Sequence, residues 1–65
     1  MRTIDLSGEQ GNAYYILGVA KEICEEQGME FGPIQYEMKS GDYKNLIDTF
    51  RLIFGDYVRL INEQK

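Results

Sequence analysis

The sequence contains no histidine, no tryptophan, a single proline and a single cysteine, Cys24. One cysteine excludes an intrachain disulfide, and one thiol without histidine cannot build a structural zinc site. Histidine is also the commonest general base for a serine or cysteine nucleophile, so its absence argues against nucleophilic catalysis. We therefore expect no enzymatic activity, no metal ion and no cofactor.

The remaining candidates for chemistry have simpler structural interpretations. Cys24 falls on the apolar side of a predicted helix, where a small core residue is a better interpretation than a reactive thiol. Glu22, Glu25 and Glu26 form a carboxylate cluster, but at positions typical of a solvated helix face. The loop over 7–12 precedes a helix N-terminus, yet it lacks the lysine of a phosphate-binding loop and reads as a connection.

The chain also has few basic residues and no long apolar run. Eleven acidic against seven basic residues give a formal charge of −4, and no two bases are adjacent. This pattern disfavours direct nucleic-acid binding and suits a basic protein surface. No apolar segment approaches the ~20 residues that cross a bilayer, and the first residues lack a signal-peptide core. We expect a single domain, residues 1–65, in the cytoplasm, without a membrane partner.

The pattern of apolar residues predicts a strand near the start of the chain and a helix after it. Residues 2–6 alternate polar and apolar, as a half-buried strand does. Asn12 is a suitable N-cap for a helix over 13–27, because its side-chain oxygen accepts from a first-turn amide. Gly28 supplies the left-handed residue that closes such a helix. The apolar face of this helix comprises Ala13, Ile16, Leu17, Ala20, Ile23 and Cys24.

Two further helices and a second strand follow. The Gly32-Pro33 pair predicts the cap and first residue of a short helix, since proline is tolerated at the first helical position. The tripeptide Gly-Asp-Tyr then occurs twice, at 41–43 and 55–57. Asp42 caps a third helix and the second glycine ends it, before a strand over 57–61. The apolar stripe of this third helix comprises Tyr43, Leu46, Ile47, Phe50, Ile53 and Phe54.

This order of elements predicts an α+β fold of the type β-α-α-α-β, with three helices covering a two-stranded sheet formed by the chain ends. A two-stranded sheet is marginally stable in water. A domain of this size without a disulfide or a metal commonly gains support by oligomerisation. We expect edge pairing between two copies to complete a four-stranded sheet in a homodimer. The direction of strand pairing stays open.

Five tyrosines exceed what the predicted core accommodates. Tyr14 falls off the apolar face of the first helix, beside Gly18 at i+4, and an aromatic next to a glycine notch suits the approach of another chain. Tyr15 and Val19 form a second pair off that face, on the opposite flank. Packing of a flank against the third helix or the sheet is the alternative, and the needs of a small core favour it.

The candidate interface therefore comprises Tyr14, Tyr15, Gly18 and Tyr57, with Glu22, Glu25 and Glu26 steering a basic partner.

The sequence resembles small proteins of tailed phages and prophages. The segments that carry the resemblance are Asp5-Leu6-Ser7-Gly8, Gly11-Asn12-Ala13, Leu17-Gly18 with Ala20, Ser40-Gly41-Asp42-Tyr43 and Phe54-Gly55-Asp56-Tyr57-Val58. The resemblance covers most of the chain and brings no catalytic residue with it. It implies a protein that acts by binding, for example an inhibitor of restriction, CRISPR or another host defence.

The sequence thus predicts a small acidic, non-enzymatic protein-binding module, phage-encoded, that inhibits or modulates a host defence protein or another host or phage protein in the host cytoplasm. One alternative is a homo-oligomer that sequesters a small molecule between its subunits. Another is a structural or assembly accessory.

Overall fold

The computed structural model describes residues 2–63, which form two strands and three helices in the predicted order. The strands are β1 (Arg2–Asp5) and β2 (Val58–Ile61), and a 3-10 turn (Glu9–Gly11) follows β1. The helices are α1 (Ala13–Gln27), α2 (Phe31–Lys39) and α3 (Tyr43–Phe54). The predicted α+β fold, β-α-α-α-β, is confirmed.

The two strands pair in parallel, with Arg2 opposite Val58 and Asp5 opposite Ile61. Parallel strands cannot be joined by a tight turn, and here the three helices form the crossover between them. Ile4, Val58 and Leu60 face the helices and are buried or half-buried, whereas Thr3 and its partner Arg59 are exposed on the outer side. The pairing direction that the sequence left open is therefore decided by the crossover.

One hydrophobic core fills the space between the sheet and the helices. The rings of Phe50 and Phe54 lie 5.1 Å apart at its centre and are fully buried. Cys24 is 1% exposed, which confirms its place in the core. The other buried residues are Ile4, Leu6, Ile16, Leu17, Val19, Ala20, Ile23, Met38, Leu46, Ile47 and Val58. Within residues 2–63, no helix combines the length and the apolarity needed to cross a bilayer.

The ends of α1 and the start of α3 form as predicted. The Asn12 side chain accepts a hydrogen bond from the Tyr14 amide at 2.7 Å, and the Asp42 carboxylate accepts from the Asn45 amide at 2.9 Å. Gly28 has a φ of 71°, and the following amide, of Met29, donates back into the last turn of α1. Caps of this kind satisfy backbone groups that a helix terminus otherwise leaves unpaired.

The predicted start of α2 is wrong by two residues. The helix begins at Phe31, with Glu30 preceding it, so Gly32 lies inside the first turn and does not cap it. Pro33 is the third helical residue, a position where the missing amide hydrogen still costs no intrahelical bond. Because Phe31 packs against the core, burial favours the longer helix.

Two tyrosines also differ from their predicted places. Tyr43 shares the spacing of the α3 apolar stripe, but it is 44% exposed, and its hydroxyl donates to the carbonyl of Gly11. Tyr57 lies in the turn before β2 and does not begin the strand; its amide donates to the Phe54 carbonyl at 2.9 Å. A phenol hydroxyl needs a polar partner or water, which draws both rings toward the surface.

Candidate protein-binding surface

All but one of the predicted interface residues lie on the solvent side of α1. A helix advances about 100° per residue, so residues on the side opposite Ile16, Ala20 and Ile23 share one exposed strip. We call this strip the outer face of α1. It consists of Tyr14, Tyr15, Gly18, Lys21, Glu22, Glu25 and Glu26, all of which are exposed.

Tyr14 is the more exposed of the two tyrosines on this face. Its side chain is 81% exposed, while its backbone amide is held by the Asn12 cap. Gly18 lies one helical turn further along, and a Cβ atom placed there would meet nothing within 4 Å. The molecule therefore presents a large, mostly uncovered aromatic ring beside an open notch, and none of the described residues fills the notch.

The flank of α1 that carries Tyr15 and Val19 is partly used within the molecule. Val19 is 2% exposed, which confirms the favoured alternative, packing of this residue within the chain. Tyr15 is only 37% exposed, and the side-chain nitrogen of Gln10 lies 3.5 Å from its hydroxyl oxygen. On the same side of the helix, the Arg2 side chain of β1 reaches Glu22 and pairs with its carboxylate at 2.9 Å.

The same contacts act on the charge of Arg2. Hydrogen bonding to the Glu22 carboxylate, and secondarily to the Tyr15 hydroxyl, raises the pKa of the Arg2 guanidinium. The Arg2–Glu22 pair is exposed on both sides, so its contribution to stability is small.

Tyr14 also borders an apolar groove between α1, the end of α2 and the start of α3. The groove has a volume of about 320 Å³. Its lining includes the buried Leu17, Met38 and Leu46 and the two exposed tyrosines, Tyr14 and Tyr43. Lys39 and Asp42 also line it, one of each charge. We call it the Tyr14–Tyr43 groove.

Tyr43 is held in place by its hydrogen bond to the Gly11 carbonyl. Burial, with a smaller effect from the charge of Glu63, raises the pKa of the Tyr43 hydroxyl, which therefore stays protonated as a donor. The ring separates the groove from a more polar depression lined by Leu6, Gly8, Glu9, Gly11 and Asn12. The sequence did not predict that Tyr43 lines a groove, because its spacing along α3 matches that of a core position.

The acidic side chains give the outer face of α1 a negative field. Glu25 and Glu26 are exposed next to Glu22, with Lys21 as the basic residue of this face. A surface of this sign raises the local concentration of basic groups and speeds their association.

Tyr57 lies apart from the outer face of α1, in the turn that leads into β2, and is 41% exposed. The predicted interface therefore divides into two places. Two further exposed apolar side chains were not predicted: Tyr36 on α2, 75% exposed, and Leu52 on α3, 85% exposed. Leu52 falls off the spacing of the α3 stripe, so the argument applied to Tyr14 would have found it.

The single thiol and the possible metal ligands can be located among the described residues. Burial raises the pKa of the Cys24 thiol, which keeps it protonated and shielded from solvent. Within residues 2–63, no three His, Cys, Asp or Glu side chains lie close enough together to hold a metal ion.

Comparison of the chain with protein-family models, with curated proteins and with solved structures found no match.

Proposed function

We propose that this protein is a non-enzymatic protein-binding module that acts by occupying a surface of another protein. The outer face of α1 and the Tyr14–Tyr43 groove form the binding surface. The observation that carries the proposal is the position of Tyr14, which is 81% exposed and belongs to both.

The chemistry of this surface matches that of protein interfaces. Aromatic side chains near an apolar depression supply most of the binding energy in many interfaces. Leu17, Met38 and Leu46 line the groove beneath two tyrosines, one of them anchored by a hydrogen bond. Because α1 is 15 residues long, it presents a strip of about 22 Å. Together with the groove, this strip forms one continuous surface, because Tyr14 belongs to both.

The charge of the surface selects the partner. Glu25 and Glu26 favour a basic protein surface, with Glu22 beside them in its pair with Arg2, and the chain as a whole carries a formal charge of −4. The association rate should therefore fall as salt is added, because exposed charges are screened.

The resemblance to proteins of tailed phages supports a bacterial host protein as the partner. Inhibition of a defence protein is the sharpest form of this proposal, because a small acidic protein can block a basic surface by covering it. The place of action is then the host cytoplasm.

The test is capture with a matched pair of tyrosine variants. Tagged wild type, Tyr14→Ala and Tyr36→Ala are used to capture proteins from a lysate of phage-infected bacteria. The binding of the purified captured protein is then measured by calorimetry. We expect Tyr14→Ala to weaken binding about 30-fold, as loss of a central aromatic does. Tyr36 is comparably exposed but lies outside the groove, so Tyr36→Ala should bind like wild type.

Thermal melts monitored by circular dichroism confirm that both variants are folded. Equal binding by wild type and Tyr14→Ala would overturn the proposal. Release of a small molecule on heating, with no protein captured, would support the sequestering alternative instead.

A further inference from the structure

The two strands expose different backbone groups at the outer edges of the sheet. In a parallel ladder, the amide and carbonyl of alternate residues point to the neighbouring strand, and those between them point outward. The Leu6 amide donates to the Ile61 carbonyl at 2.9 Å, so Leu6 and Ile61 point their backbone groups toward each other's strand. Every second residue along each strand shares this direction. The outward groups are therefore those of Thr3 and Asp5 on β1, and of Val58 and Leu60 on β2.

The edge of β1 is covered in part, at Asp5. The outward amide of Asp5 donates to the side-chain oxygen of Gln10 at 3.0 Å, and the turn Glu9–Gly11 packs against the strand. Protection of this kind is a common way to prevent edge pairing.

The edge of β2 has no such cover. Among the described elements, β2 packs against β1 and α3 alone. Apart from the ladder, the hydrogen bonds of residues 2–63 leave the outward groups of Val58 and Leu60 without a partner. Leu60 is also half-buried, so part of its side chain extends the core toward this edge.

The charges near the β2 edge cancel. Arg51 and Arg59 balance Asp56 and Glu63, and Arg51 is paired with Glu63. The excess acid of the chain lies elsewhere, including the outer face of α1. A second copy of this acidic protein therefore meets no net repulsion at this edge.

We propose that two copies of the chain associate through β2, antiparallel about a two-fold axis, to form a four-stranded sheet with β1 at both outer edges. This interface is separate from the binding surface on α1. The occupant is a second copy because the edge is locally neutral and its apolar residue, Leu60, can pack against the same residue across the axis.

Charge also selects the register of this pairing. The outward residues of β2 must lie opposite each other to exchange hydrogen bonds. An axis at Arg59 would place this residue opposite its own copy, and directly opposed like charges are destabilising. An axis at Leu60 places Arg59 opposite Ile61 of the second copy and pairs the two Leu60 residues. We assign the second register.

The first measurement uses the wild-type chain. Its mass is followed by sedimentation equilibrium from about 10 µM to about 1 mM, because short paired edges give weak interfaces. Amide hydrogen exchange is measured over the same range. We expect a monomer–dimer equilibrium in which exchange at Leu60 slows about tenfold with concentration, while exchange at Thr3 does not change.

The second measurement compares two cysteine variants, Leu60→Cys and Thr3→Cys. Paired residues in an antiparallel ladder have Cα atoms about 5.5 Å apart, within reach of a disulfide. Oxidation should cross-link Leu60→Cys at least about tenfold more than Thr3→Cys. Both variants retain Cys24, which is buried and serves as an internal control. Tyr14→Ala should leave both readouts unchanged.

A monomeric mass at the highest concentration would overturn the proposal. So would a dimer in which Leu60 exchange does not depend on concentration, or equal cross-linking of the two variants. Protection of Leu60 that appears only with an added partner protein would assign this edge to an extended segment of that partner.

Discussion

At the scale of single residues, two glycines show opposite constraints. A Cβ atom at Gly11 would lie 2.2 Å from the carbonyl oxygen of Leu6, where the backbone turns back toward β1. A Cβ atom at Gly18 would meet nothing within 4 Å on the exposed face of α1. Gly11 is therefore required by close backbone approach, whereas Gly18 weakens the helix that contains it.

We expect alanine to have opposite effects at these two positions. Gly11→Ala should lower the free energy of unfolding by about 1–3 kcal/mol, because the backbone must shift. Gly18→Ala should raise it by about 0.5–1 kcal/mol, the difference between these residues in a helix interior. Urea denaturation followed by circular dichroism measures both values. A neutral Gly11→Ala would show that the contact with Leu6 relaxes freely.

Asp5 is another residue with a defined local role. Its carboxylate accepts hydrogen bonds from the Ser7 hydroxyl at 2.6 Å, from the Ser7 amide at 2.9 Å and from the Asn62 side chain at 3.1 Å. These bonds, those from Ser7 first, lower the pKa of Asp5. Asn62 adopts a φ of 57°, which asparagine tolerates better than most residues. The carboxylate thus ties the end of β1 to the residue that follows β2.

At the scale of elements, the three helices are specified to different degrees. α1 and α3 begin at side-chain caps, whereas the residue before α2, Glu30, forms no side-chain cap hydrogen bond. This explains why the start of α2 was the boundary predicted least well. Local signals locate a helix terminus when a side chain satisfies its amides, and packing decides where no side chain does.

Two aspartates of the α3 region allow a matched test of the cap. Asp42 accepts from the Asn45 amide, while Asp48 pairs with Lys44 on the exposed side of the same helix. Asp42→Ala should cost about 1 kcal/mol of stability, the usual value of an N-cap. Asp48→Ala should cost under about 0.5 kcal/mol, because exposed ion pairs contribute little. Chemical denaturation of both variants provides the comparison, and equal losses would contradict the assigned cap.

At the scale of the whole molecule, stability depends on one small core. A chain of 65 residues buries only about 60% of the surface of its unfolded state, which leaves a narrow margin. Both strands are needed for the sheet, and they come from opposite ends of the chain. Loss of core packing should therefore unfold the molecule as a unit.

Phe50 and Leu52 lie two residues apart on α3 and allow a matched test of how far stability depends on the core. Phe50 is fully buried against Phe54, and Leu52 is 85% exposed. Phe50→Ala should lose about 3–5 kcal/mol, enough to unfold much of a marginal domain at room temperature. Leu52→Ala should stay within about 0.5 kcal/mol of wild type. Thermal melts by circular dichroism and the dispersion of amide resonances report the outcome. A cooperative fold that persists in Phe50→Ala would show that the core is not shared by all elements.

Much of the fold was predictable from the sequence because its signals are local. The spacing of apolar residues, the caps at Asn12 and Asp42 and the closing Gly28 depend on neighbours in the chain. They identified α1 without error, the extent of α3, and the order of the elements. The exposure of Tyr14 and of the glutamates on α1 followed from the same helical periodicity.

The tertiary structure alone decided what depends on distant residues. The strands pair in parallel because three helices carry the chain back across the sheet, and local periodicity does not report that direction. Val19 is buried because it packs into the common core, although it lies off the apolar spacing of α1. Tyr43 leaves the core to bind the Gly11 carbonyl, which creates a wall of the groove. The sequence determined which surfaces each element offers, and the contacts between elements decided which of them remain free.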